Sequence, residues 1–209
     1  MRSMYTYASL VASNRENNED RADVFERGYA LVVVVADGAG GMRGGAAASD
    51  AVVSAVASAV LDPAFDVHNV QNWMTVLADV DHKLACAMTG ETTAVIAVVG
   101  PSGILGASAG DTEAWVIGKT CIDDLTAGQK KNRLGSGRAA PVSFYRSRLD
   151  GTLVLGSDGL FKYVSTEKIA EAVRGSAPAD AAERLRALVR MATGRYQDDL
   201  GLVVVGSGD

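Results

Sequence analysis

The chain has 209 residues, 48% hydrophobic and 22% charged, enough for one well-buried domain over residues 1–209 and short for two. Its formal charge of -5, with no long basic run, opposes a nucleic-acid backbone. The opening MRSMYTYASLVASN lacks the apolar stretch of a secretory signal, and the longest apolar runs fall far below the roughly 20 residues needed to cross a bilayer.

Two cysteines, Cys86 and Cys121, have no zinc-like spacing and suggest a reducing compartment, so a cytoplasmic protein without nucleic-acid or membrane partners is expected. Both thiols read as small buried residues.

In chain order, residues 31–36 (LVVVVA) are a β-branched run closed by Asp-Gly, which predicts a central strand buried on both faces. A glycine-rich turn follows. Residues 45–61 then place Asp50, Ser54 and Ser58 at four-residue spacing among alanines and valines, as in a helix with a narrow polar stripe. A second helix is expected over 69–88, where Val70, Trp73, Leu77, Val80 and Leu84 keep the 3.6-residue period behind an Asn69 cap.

Three strands are expected at 92–99, 103–109 and 113–118, joined as hairpins by Gly-Pro-Ser-Gly and Gly-Asp-Thr turns. Residues 120–148 are polar and carry six cations, which reads as a long irregular connection. A strand at 152–157 precedes a helix at 165–174 capped by Ser165. Pro178 opens a last helix that Gly194 closes, and 200–205 is a terminal strand. Strands mixed with helix pairs, without strict βαβ alternation, indicate an antiparallel α+β layered fold over a doubly wound one.

Four aspartates share one signature, standing at the end of an apolar strand or in the turn beside it: Asp37, Asp111, Asp158 and Asp198. One such acid is usually just a turn former. Several of them converging at one rim could not all stay ionised without cations, and hard oxygen ligands suit Mg2+ or Mn2+. No histidine or cysteine cluster offers a zinc site.

The ordered blocks Arg15-Glu-Asn-Asn-Glu19-Asp20, Asp37-Gly38-Ala39-Gly40-Gly41, Gly90-Glu-Thr-Thr-Ala94, Gly110-Asp111-Thr112, Ser157-Asp158-Gly159-Leu160 and Asp198-Asp199 span nearly the whole chain. Together they resemble the metal-dependent protein serine/threonine phosphatases of type 2C, as a short bacterial member. The resemblance implies a four-layer α-β-β-α sandwich, with two central antiparallel sheets flanked by helix pairs. It also implies hydrolysis of phosphoserine and phosphothreonine in proteins at two Mn2+ or Mg2+ ions, with a third ion in some bacterial members.

By the same resemblance Asp37 bridges both ions, the Gly38 carbonyl and Glu19 belong to the second, and Asp158 and Asp198 to the first. Asp111 forms the third site with Asp158. Asp20 orients the attacking water, and Arg15 grips the substrate phosphate with its planar fork. The partners implied are a phosphorylated protein, itself the target of a cognate serine/threonine kinase, and no second copy of the chain. A water nucleophile agrees with the absence of a Cys-x5-Arg loop around either cysteine.

The chain departs from the family pattern at Ala39, where many members have a histidine that protonates the leaving oxygen. A positioned acid contributes about 10²- to 10⁴-fold, so slow turnover of protein substrates is expected. His68 and His82, beside and in the second helix, read as surface residues. The 120–148 connection is shorter than the family's usual flap, and its cations read as a solvated loop more readily than as a docking site.

Two competing readings follow. A dinucleotide fingerprint starting at Gly38 fails, because Arg43 stands where the third glycine belongs. A catalytically silent domain that binds phosphoproteins gains support from Ala39 and loses it from the presence of Asp37, Asp158 and Asp198.

Overall fold

The computed structural model describes residues 4–13, 18–39 and 44–208. Ten strands and five helices follow in the order β1 (Tyr5–Ala12), β2 (Asp20–Arg27), β3 (Ala30–Ala39), α1 (Gly45–Leu61), α2 (Val70–Ala87), β4 (Glu91–Gly100), β5 (Gly103–Ala109), β6 (Glu113–Ile117), β7 (Ile122–Asp124), β8 (Val142–Arg146), β9 (Thr152–Gly156), α3 (Asp158–Phe161), α4 (Thr166–Val173), α5 (Pro178–Val189) and β10 (Leu200–Ser207). They build two five-stranded sheets, ordered β1-β10-β9-β6-β7 and β2-β3-β4-β5-β8, in which every ladder is antiparallel.

The valine run of β3 shows how the layers form, because successive side chains of a strand point to opposite faces. Leu31, Val33 and Val35 meet Val95, Val116, Leu153 and Val203 between the two sheets. Val32, Val34 and Ala36 face the other way, onto Val52 and Val56 of α1 and Trp73 and Leu77 of α2. On the far side Val154, Leu202 and Val204 pack against Ile169 of α4 and Leu185 of α5. The result is the expected α-β-β-α sandwich. Complete burial of such aliphatic side chains contributes about 1.5–3 kcal/mol each.

The expected elements are found, with differences in their joints. Asn69 caps α2 by accepting the Gln71 N–H at 3.0 Å, whereas Ser165 precedes α4 without a side-chain cap hydrogen bond. Helix α5 ends at Val189, five residues before Gly194. That glycine instead sits in a turn with its carbonyl accepting from Arg190 Nε at 3.0 Å. The strands β5 and β6 are not a hairpin: β6 pairs with β7 and β9, so the chain crosses between sheets at residues 110–112.

The 120–148 connection contains β7 and β8, both at sheet edges. Cys86 and Cys121 are exposed, not buried, because α2 turns Cys86 outward and Cys121 sits in the β6–β7 turn. No helix among the described residues is long and apolar enough to cross a membrane.

Candidate metal centre

Asp20 opens β2 and Asp37 lies near the end of β3, and the register of that ladder sets the two directly opposite. From the second sheet, β9 runs through Ser157 into Asp158, the first residue of α3. Ser157 N–H donates to the Gly201 carbonyl at 2.9 Å and Gly201 N–H to Ser157 Oγ at 3.0 Å, which locks that end beside the start of β10. Asp198 and Asp199 immediately precede β10, and Asp111 lies in the sheet crossing. All of them line one cleft of about 250 Å³, together with Glu19, Gly38, Ala39, Thr93, Arg133 and Lys162.

Glu19 is held from three sides. Its N–H donates to the Asp199 carboxylate at 2.9 Å, and its carbonyl accepts from Ser49 Oγ at 2.5 Å and from Gly38 N–H at 3.2 Å. Two glycines make this approach possible. A Cβ on Gly38 would stand 2.3 Å from the Gly45 carbonyl oxygen, and one on Gly45 would stand 2.5 Å from Glu19 Oε1. Without side chains there, the β3 end, the first turn of α1 and Glu19 all meet.

Burial and crowding set the electrostatics. Burial pushes the Asp37 carboxyl up to about 9, with Asp20, Asp158, Asp111 and Asp198 adding like-charge repulsion. Burial likewise lifts Asp20 to about 7, against a lowering hydrogen bond from Ser157. Asp158 is raised by burial and lowered in part by Lys162, whose Nζ lies 3.5 Å away.

The donor set suits a hard divalent cation. It is all oxygen, and Asp20 Oδ2 is buried with no hydrogen-bond partner among the described residues. Among the described residues, no three His, Cys, Asp or Glu side chains form a ready-made metal site. Like charges hold such carboxylates apart until a cation draws them in.

The structure thus gathers Glu19, Asp20, Asp37, Gly38, Asp111, Asp158 and Asp198 into one cleft. Arg15, with Gly40 and Gly41, falls outside the described residues. His68 and His82 are exposed on or beside α2. Four lining residues had no assigned role in the sequence: Thr93, Arg133, Lys162 and Asp199. Lys162 stands at i+4 from Asp158, a spacing that could have found it. Arg133 gave no signal within its polar tract.

No family model matches the chain, and no curated protein matches it. Solved structures do. A bacterial serine phosphatase is 22% identical, with 99% of this chain and 98% of that one covered and a TM-score of 0.83. The serine/threonine phosphatase Stp1 of Staphylococcus aureus is 20% identical over 100% of this chain and 96% of its own, with a TM-score of 0.81. The catalytic domain of the serine/threonine protein phosphatase PstP, in complex with two manganese ions, is 23% identical over 98% and 99%, with a TM-score of 0.82. Over its whole length, the chain adopts the fold of the bacterial serine/threonine phosphatases.

Proposed function

We propose that the chain is a single-domain, metal-dependent phosphatase that removes phosphate from phosphoserine and phosphothreonine in proteins. The observation that supports this most directly is the Asp20–Asp37 pair facing across β2–β3 in a cleft shared with acids from the far end of the chain. Asp37 would bridge two Mn2+ or Mg2+ ions, Asp158 and Asp198 would complete one, and Glu19 with the Gly38 carbonyl the other. Asp111 and Asp158 would offer a weaker third position. Bound there, the ions supply a nucleophile from water at neutral pH and offset charge developing on the phosphate.

The chain's own residues do the rest. Asp20 accepts a hydrogen bond from the attacking water and orients it. Arg15 holds two phosphate oxygens through its planar fork. The side chain of Ala39 can donate no proton, so the leaving oxygen takes one from solvent and turnover of unactivated phosphoesters is slow.

Hydrolysis of p-nitrophenyl phosphate in Mn2+, lost in chelator and in Asp37→Asn, is the expected result. Ala39 favours one alternative, a silent domain that binds phosphoproteins. Full metal occupancy without hydrolysis of p-nitrophenyl phosphate or a phosphothreonine peptide would decide for it.

A further inference from the structure

Among the described residues, two cations line the cleft. Lys162 is engaged, 3.5 Å from Asp158 and over the ring of Tyr163. The Arg133 side chain has no hydrogen bond or ion pair among the described residues, although seven carboxylates share the cleft with it. Of its neighbours in the basic tract, Arg146 and Arg148 are paired with acids on the surface.

The backbone that carries Arg133 is firmly fixed. Leu134 is fully buried and exchanges two hydrogen bonds with Thr92, at 3.0 and 2.8 Å, while Thr92 Oγ1 donates to the Asp37 carbonyl at 2.8 Å. Behind it, the buried Asp81 carboxylate of α2 accepts the N–H groups of Gly135, Gly137 and Ala139 at 2.7, 3.0 and 3.2 Å. Gly135 sits at φ +98°, where a Cβ would stand 2.3 Å from the Gly90 carbonyl oxygen. This loop is therefore not a loose solvated tract. It holds a guanidinium beside an acid-lined cleft without pairing it, which leaves that group for an anion arriving with the ligand.

We propose that Arg133 is a second substrate-binding residue, donating to a phosphate oxygen of the bound phosphoprotein. Arg133 also lines an adjoining hollow of about 430 Å³ with Ala39, Met88 and Glu91, on the border where a substrate polypeptide would leave the cleft. The assignment rests on the phosphatase reading above.

The test is steady-state kinetics of the full chain in saturating Mn2+, with p-nitrophenyl phosphate and a phosphothreonine peptide, and inhibition by inorganic phosphate. In Arg133→Ala, KM and the phosphate inhibition constant should rise about ten- to a hundredfold, as for loss of a charge-assisted hydrogen bond, with kcat changed far less. Arg133→Lys should recover part of the loss, and Arg138→Ala, an equal charge change on the same loop, should keep the wild-type KM. An unchanged KM in Arg133→Ala, or an equal rise in Arg138→Ala, overturns the proposal while leaving the phosphatase reading intact. If the wild type binds Mn2+ but hydrolyses neither substrate, that reading fails instead. Calorimetric titration with inorganic phosphate then judges Arg133: weaker binding in Arg133→Ala supports its role, and equal binding overturns it.

Discussion

Asp20 and Asp37 are cross-strand partners, two carboxylates fixed face to face by the β2–β3 register in a cleft that offers them few donors. Like charges directly opposite in a ladder are destabilising. Without a cation, the folded state therefore holds protons that the unfolded chain releases.

The sign of the resulting pH dependence follows. Asp37 rises to about 9 and Asp20 to about 7 in the folded protein, against about 3.9 in an unfolded chain. Their stabilising contribution is complete below about pH 4 and is lost as pH rises through 7 and 9. In chelator at pH 8, Asp37→Asn should melt at least about 4 °C above wild type, and the gap should close toward pH 4–5. Thermal melts across that range check it, and a gap that does not vary with pH would refute the assignment.

Metal should reverse this effect. At a free Mn2+ concentration 100 times Kd, the protein gains about 2.7 kcal/mol, or roughly 5–10 °C for a domain of this size. Since Asp20 and Asp37 carry protons near neutrality, binding must release them. Calorimetric enthalpies measured at pH 7 should vary with the ionisation enthalpy of the buffer, less so in Asp37→Asn. An enthalpy independent of buffer would contradict it.

Gly45→Ala isolates one side of the centre. The added methyl would stand 2.5 Å from Glu19 Oε1, and the flexible end of that side chain can swing away. One Mn2+ should then bind at least about tenfold more weakly while the other keeps its affinity, since about 1.4 kcal/mol is one decade. Titration calorimetry resolves the two, and equal weakening of both would show a general disturbance.

Asp81→Ala tests the support of the basic loop. Three backbone N–H groups lose their acceptor, the buried Asp81 carboxylate, in a partly buried setting. The expected loss is about 3 kcal/mol, seen as a melting point lower by about 6 °C or more. A change under about 1 °C would mean that solvent replaces the carboxylate without penalty.

The parts that the sequence discloses are those with strong local periodicity. The β3 valines, the polar stripe of α1 and the 3.6-residue stripe of α2 each bury one defined face, so pattern and packing agree. Edge strands do not have this property. β1 and β2 alternate only loosely between half-buried and exposed positions, and β1 is identified by its eight-residue pairing with β10, from the other end of the chain. The β5–β6 crossing was hidden because a glycine-containing turn can join strands of one sheet or of two. Among the cleft residues, the acids stood at strand ends and could be found. Arg133 reaches the cleft only because Leu134 and Asp81 anchor its loop, contacts of long sequence separation that no local motif announces.

Strand β10 lies inside its sheet, between β1 and β9, and Asp198 and Asp199 lead directly into it. During synthesis the polypeptide would thus carry Asp20 and Asp37 for most of its elongation before Asp198 and Asp199, which share their cleft, emerge. The acid-lined cleft is complete only once β10 is in place. A chain truncated before Asp198 would have most of both sheets and a cleft lacking two of its acids.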